Sequence, residues 1–278
     1  MYYKCHNCDY GTTLANMLKN ISPALHKEYR LENYRGGQTG KPNTPQPDFA
    51  FKKPVFRETV GKQISDLSPE HQAIQVLKQR KIPESLWHRF CYSENFYDTV
   101  REINDKTVVG RENRLVIPIY DSEKKVIGLQ GRSLNGEIPK YITIKANDYD
   151  DVLIYGKDQR INWAENVHVF EGPIDSLFIP NSLAVLGSNL KLLDEKLSSS
   201  KLVFCFDNEP RNKQIVSKMN EATDLGKRVC IWPDSLKEKD VNDMIISGLT
   251  SDEILDMITA NTYEGPSAKL RLSTWRKV

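Results

Sequence analysis

Long apolar runs are missing from this chain. No stretch reaches the roughly 18 consecutive apolar residues that a membrane-crossing helix needs, so no such span is encoded. The opening, Met1-Tyr2-Tyr3-Lys4-Cys5-His6, lacks the apolar h-region of a secretory signal, and none is expected. Cysteine is scarce and odd in number, five in 278 residues. That argues against a disulfide-built secreted scaffold and for a reducing, cytosolic setting. Apolar residues are few, 39% beside 27% charged, so some segment is expected to lie outside a core. The length still allows two domains with sizeable interiors.

Net charge is small, at +2, but unevenly placed. Residues 1–62 carry ten Lys/Arg against five Asp/Glu, and residues 263–278 carry four against one, which leaves the middle of the chain acidic. Basic ends around an acidic centre suit a protein that meets a polyanion at its edges and gathers metal ions between them. Solvated terminal segments would give the same count.

Residues 1–30 open with Cys5-His6-Asn7-Cys8 and run into a short helix. Thr12 or Thr13 caps it, and Leu14, Met17, Leu18 and Ile21 share one face. Residues 31–62 hold Gly36-Gly37, Pro42, Pro45, Pro47 and Pro54 with almost no apolar period, the composition of a flexible linker. Ser68-Pro69-Glu70 reads as an N-cap followed by proline at the first helical position, with Ile74, Val76 and Leu77 facing inward. A second helix after Ile82-Pro83 buries Leu86, Trp87 and Phe90. Strands are expected at 115–119, 126–129 and 141–144, with Pro118 marking the first as an edge or bulged strand.

From residue 167 the chain alternates. Strands are expected at 167–170, 183–186, 202–206 and 228–232. Helices are expected at 174–179, 190–197, 211–224 and 241–247, and Ser251 caps a last one that carries Ile254, Leu255 and Ile258. Repeated βα units mean an α/β fold with a parallel sheet covered by helices on both faces. In such sheets functional residues lie just past the C-terminal strand ends. Those positions are acidic here: Glu171, then Asp207 and Glu209, then Asp240 and Asp243. One such acid is explained by a loop or helix start, but three clusters at one edge suit Mg²⁺ or Mn²⁺. Asp175 reads as a helix N-terminal residue rather than a ligand.

The spelling of these clusters is specific. Glu171-Gly172-Pro173-Ile174-Asp175-Ser176-Leu177 resembles the glutamate motif of the Toprim domain, Asp207-Asn208-Glu209 stands in place of its Asp-x-Asp motif, and Lys239-Asp240-Val241-Asn242-Asp243 resembles its closing acidic motif. Asn113-Arg114-Leu115-Val116-Ile117-Pro118-Ile119, Gly128-Leu129-Gln130-Gly131-Arg132 and Pro139-Lys140-Tyr141-Ile142-Thr143 resemble the basic subdomain that precedes Toprim in bacterial-type DNA primases. Asn208-Glu209-Pro210-Arg211 and Ala268-Lys269-Leu270-Arg271-Leu272-Ser273 are similar to the T-even-phage branch of that family.

The resemblance implies a partial zinc-binding module at 1–30, a linker at 31–62, a basic subdomain at 63–162, a Toprim domain at 163–262 and a basic tail at 263–278. It implies synthesis of short RNA primers on single-stranded DNA from ribonucleoside triphosphates, beside a hexameric replicative helicase in the infected host cell, with no membrane involved. Two divalent ions, Mg²⁺ or Mn²⁺, would be held by Glu171, Asp207 and Glu209 as the catalytic set with Asp240; Asp243 could replace or support Asp240. Arg114, Arg132, Lys140 and Gln130 would hold nucleotide or nucleic acid.

Cys5 and Cys8 have zinc spacing but form a half-site, because a structural Zn²⁺ needs four protein ligands and residues 1–30 supply no second pair. Cys91, Cys205 and Cys230 read as buried core. A Toprim nuclease and a non-catalytic Toprim DNA-binding mediator are the alternatives to the primase reading.

Overall fold

The computed structural model describes residues 2–4, 11–35, 60–187, 197 and 200–278. The chain divides into two compact units, residues 1–54 and 55–278. In the first, β1 (Tyr2–Lys4) pairs antiparallel with β2 (Gly11–Thr13), Tyr3 opposite Thr12. Helix α1 (Leu14–Ile21) follows at once, because extended Thr13 accepts a hydrogen bond from the Asn16 N–H at 3.3 Å and serves as N-cap. Leu14, Met17 and Leu18 are half-buried, while Ile21 is exposed. Helix α2 (Pro23–Arg35) runs past the linker start expected at residue 31. Residues 31–35 contain neither glycine nor proline, so nothing local stops the helix before Gly36-Gly37. The rest of the expected linker, 36–59, lies outside the described residues.

The second unit contains two sheets. The first is antiparallel, in the order β3 (Lys62–Gln63), β4 (Cys91–Ser93), β5 (Arg114–Tyr120), β6 (Val126–Ser133), β7 (Tyr141–Lys145). Helices α3 (Gln72–Gln79) and α4 (Phe96–Arg101) are interleaved with it. α3 starts later than Ser68-Pro69 suggested: the Ser68 carbonyl closes a turn on the His71 N–H, and the His71 ring accepts from the Ala73 N–H as the cap. β5 is an interior strand, not an edge. Pro118 is tolerated because β4 pairs with residues 114–116 only, and the β5–β6 register shifts just beyond it, at Ile119/Tyr120. Of the expected inward residues of the next helical segment, Phe90 is buried, whereas Leu86 and Trp87 are partly covered.

The second sheet comprises β8 (Leu153–Tyr155), β9 (Val167–Phe170), β10 (Ser182–Leu186), β11 (Leu202–Cys205), β12 (Arg228–Cys230) and β13 (Thr262–Tyr263). Spatially the order is β13-β12-β11-β9-β10-β8, with the four central strands parallel and both edges antiparallel. Its helices are α5 (Pro173–Ser176), α6 (Lys213–Asp224), α7 (Val241–Ser247), α8 (Ser251–Ala260) and α9 (Gly265–Trp275). Strand alternation sends Val169, Leu183, Leu202, Phe204 and Val229 to one face, against Met219 of α6 and Leu272 and Trp275 of α9. Phe170, Ala184, Val203 and Cys230 go to the other, against Ile174, Met244, Ile254 and Ile258. Helices therefore cover both faces, as the βα repetition predicts.

Three details differ from the sequence reading. Residues 263–278 are not a tail: α9 buries Ala268, Leu272 and Trp275, at helical spacing. The last expected helix is capped by Thr250, whose hydroxyl accepts from the Glu253 N–H while the Glu253 carboxylate accepts from the Thr250 N–H. β8, on the N-terminal side of the boundary expected at 162/163, hydrogen-bonds into the second sheet beside β10. The helix expected at 190–197 lies outside the described residues except for Leu197, which is buried.

One apolar cluster crosses from lobe to lobe. It joins Ile74 and Leu77 of α3 and Leu115, Ile117 and Ile119 of β5 to Tyr155, Phe170, Val203 and Ile258. Among the described residues, no helix is long and apolar enough to cross a membrane.

Candidate functional site

The parallel strands deliver their acids to one edge. Glu171 directly follows β9, and Asp207 lies two residues beyond β11, its hydrogen-bonded neighbour. Asp240 is the N-cap of α7, accepting the Asp243 N–H at 2.8 Å. Asp175 projects from α5. These four carboxylates line one narrow cleft, together with Phe170, Cys205 and Trp232. Gly172 keeps it open: its backbone is extended rather than left-handed, and a Cβ there would stand 2.7 Å from the Asp175 carboxylate. Asp243 does not line the cleft. Glu209 stands beside it and also walls a second cavity of about 420 Å³ with Arg211, Asn212 and Lys277.

The site is short of positive charge. Glu171 Oε2 accepts from Lys218 of α6 at 3.1 Å, but its buried Oε1 has no hydrogen-bond partner among the described residues. Burial, followed by the charge of Glu171, pushes Asp207 up to about 7. Burial and the neighbouring Asp240 push Asp175 up to about 8, although the Asn242 N–H donates to its Oδ1 at 3.0 Å. A second lysine, Lys239, stands 3.6 Å from Asp207 and 3.3 Å from Glu209. Burial works against its charge, yet these two carboxylates hold its pKa above the ordinary lysine value. Among the described residues, no three acid, thiol or imidazole groups already converge into a coordination shell. With lysines on three of the acids, an ion would have to displace Lys239 and draw the carboxylates inward. The donor set of hard oxygens, the orphan Oε1 and the two raised carboxyls fit a divalent cation.

The basic residues divide. Arg132 is buried, lies 5.1 Å over the Tyr141 ring, donates to the Tyr141 hydroxyl and leaves Nε without a partner among the described residues. Burial, with Arg80 nearby, lowers its pKa. Exposed Lys140 stands 5.9 Å from the centroid of the same ring, and its pKa is lowered by partial burial and then by Arg132 and Arg80. Gln130 is turned to Thr143, donating to its hydroxyl at 3.1 Å.

Arg114 is more deeply buried still. It has no exposed area, pairs with Glu112 at 2.7 Å, donates to the carbonyls of Gly131 and Pro139 and rests on the Phe96 ring. It props the backbone next to Lys140 instead of presenting a charge. Sequence reasoning missed Arg80 and Asn242, whose hydrogen bonds link the end of α3 to α7. Cys5 and Cys8 lie outside the described residues; Cys91, Cys205 and Cys230 are buried and free.

No family model matches the chain. The DNA primase of Enterobacteria phage T4 is 35% identical over 282 residues, covering 99% of this chain and 81% of that protein. Among solved structures, a DnaG primase catalytic domain bound to ssDNA has a similar fold. Its TM-score is 0.57 at 17% identity, over 77% of this chain and 78% of that one. The Aquifex aeolicus primase, comprising zinc-binding and RNA polymerase domains, gives a TM-score of 0.57 at 19% identity, over 99% of this chain and 77% of that one.

Proposed function

The chain belongs to the DNA primase family, and from that premise we propose that its acidic cleft is the polymerising centre of an enzyme that makes RNA primers on single-stranded DNA. The observation that carries this reading is the crowding of acids at the cleft: a buried Glu171 oxygen without a partner among the described residues, beside an Asp207 whose pKa is pushed up to about 7. The six-stranded sheet is read as a Toprim domain and the five-stranded one as the basic subdomain that precedes it. Glu171, Asp207 and Glu209, with Asp240, would hold two divalent ions, Mg²⁺ or Mn²⁺. Bound there, the ions would supply Lewis acidity for the attacking 3′-hydroxyl and positive charge for the departing pyrophosphate.

The chain's own residues do the rest. Asp240 keeps one oxygen on the α7 N-terminus, which fixes its carboxylate plane. Lys239 and Lys218 neutralise the acids in the metal-free protein and so limit their mutual repulsion. Arg132 and Lys140, crowded by like charge, take phosphates of the nucleotide or template, and Arg114 holds the backbone that carries Lys140. Gln130 lies on the same strand pair as a neutral contact. Cys5 and Cys8 are read as half of a zinc site. The template strand, ribonucleoside triphosphates and a hexameric helicase are the partners, in an infected host cell.

The test is incubation of the chain with labelled ribonucleotides, Mg²⁺ and single-stranded DNA. Short, template-dependent RNA products are expected. Cleavage of the DNA without ribonucleotide incorporation would replace this reading with the nuclease one.

A further inference from the structure

The loop that joins β6 to β7 holds one apolar side chain out in water. Ile138 is 96% exposed, more than any other large apolar residue among those described. Its loop, residues 134–140, is nevertheless well fastened. The Ser133 N–H donates to the Lys140 carbonyl at 2.8 Å and closes it. Gly136 turns it with a left-handed φ of 87°, and the Gly136 N–H donates to the Ser133 hydroxyl at 3.0 Å. That hydroxyl and the Asn135 N–H both donate to Glu137, at 2.7 and 3.1 Å, and hold its carboxyl down to about 2. From outside the loop, Gln72 at the start of α3 donates to Asn135 Oδ1 at 2.6 Å and to the Leu134 carbonyl at 3.0 Å.

A single exposed isoleucine on a loose loop needs no explanation. On a fastened loop the side chain is preorganised, so whatever covers it meets no ordering cost there. Its neighbours indicate the chemistry of that occupant. Lys140, two residues on, is exposed, and the Tyr141 ring is 36% exposed with the Lys140 and Arg132 cations 5.9 and 5.1 Å from its centroid. Lys239 and Asp240, at the acidic cleft, lie within electrostatic reach of Lys140. Glu137, the loop's only acid, is engaged by the loop itself. The surface around Ile138 is therefore apolar, aromatic and cationic, and it borders the cleft. A single strand of nucleic acid matches it, with phosphates for the cations and base faces for the ring and the isoleucine. Apolar side chains that enter such a stack part the bases.

We propose that Ile138 is a wedge that inserts between neighbouring bases of the single-stranded template beside the acidic cleft, and that Gln72 is the positioning residue that stiffens the loop behind it. The identity of the strand rests on the polymerase reading above. A base freed from its neighbour can turn its pairing edge to an incoming ribonucleotide.

The test uses a strand of deoxyadenylates with 2-aminopurine at its centre, a base whose fluorescence is quenched by stacking and recovers when its neighbours part. The full chain is titrated in Mg²⁺ without ribonucleotides, and affinity is read on the same samples from the anisotropy of a terminal dye. The wild type should brighten the base. Ile138→Ser should bind within about threefold of wild type, because phosphate contacts carry most of the affinity, and should lose most of the brightening. Ile138→Leu should keep it. Gln72→Ala leaves Ile138 on a looser loop and should give an intermediate signal at near-normal affinity. Val108→Ser removes another apolar side chain, 84% exposed between α4 and β5, and should match wild type in both readouts.

The proposal fails if the wild type binds no strand or binds it without brightening, or if Val108→Ser loses as much signal as Ile138→Ser. It fails also if Ile138→Ser keeps the full signal, which would leave the tip to a protein partner. No polymerisation enters the measurement. A chain that parts bases through Ile138 yet makes no primers would overturn the polymerase reading alone, and one that makes primers while the bases stay stacked would overturn only the wedge.

Discussion

Glu171→Gln should move activity and stability in opposite directions. In the metal-free protein Glu171 adds charge to a crowded edge, and it ranks after burial among the causes that hold Asp207 near 7. Every pKa unit by which Asp207 falls back when that charge goes is worth about 1.4 kcal/mol at a pH where Asp207 is ionised. Against this stands the lost pair with Lys218; both side chains are about one-quarter exposed, and such a pair contributes roughly 0.2–1 kcal/mol. The balance is a gain of about 1 kcal/mol, or about 2–4 °C in Tm for a unit of this size.

The pH dependence follows from the sign of the shift. A carboxyl whose folded pKa is raised contributes stability below its unfolded value of about 4 and loses it as pH rises through about 7. The mutant's advantage should therefore be present at about pH 8 and vanish near pH 4, where Asp207 is protonated in both proteins. Thermal unfolding in chelator across this range, then in saturating Mg²⁺, reads both effects: the mutant starts higher and gains less from the ion. Primer synthesis should fall about a hundredfold or more. A lower Tm than wild type in chelator at high pH, or near-normal synthesis, would refute the reasoning.

Three further outcomes are expected. Asp158→Asn should cost about 3–5 kcal/mol in urea denaturation, because Arg89 makes two hydrogen bonds to that carboxylate, at 2.5 and 3.0 Å, and would be left a largely buried, unpaired cation. Trp275→Ala, at a side chain 1% exposed, should cost about 3–5 kcal/mol by the same assay; a change below about 1 kcal/mol would mean that α9 is not part of the core. Arg132→Ala should weaken binding of single-stranded DNA and lower the slope of log K against log salt by about one charge, whereas an unchanged slope would assign Arg132 to structure alone.

The sheet and its acids were legible because both follow local rules. A βα alternation places strand ends at one edge, and Glu171, Asp207 and Asp240 fall immediately after strands or at a helix cap. The charge count hid α9: its lysines and arginines stand out, while Ala268, Leu272 and Trp275 mark the buried face. Strands of two or three residues such as β3, β8 and β13 are too short to show a period. Arg114 was misread because an arginine opening a strand has the spelling of a surface charge; its partners Gly131 and Pro139 come from elsewhere in the sheet. Arg80 and Asn242 have no local signal at all, since each acquires its role from a residue 162 positions away.

The interior common to both lobes has a consequence for how the cleft handles its substrates. To swing α3 and β5 away from the second sheet would expose Ile74, Leu77, Leu115, Ile117 and Ile119 together. At about 1.5–3 kcal/mol each, that opening would cost on the order of 10 kcal/mol, as much as the whole stability of many domains. Among the described residues, α3 and β5 are therefore fixed against the second sheet and do not work as a jaw. A substrate arriving at this junction meets a preformed surface rather than one that closes over it.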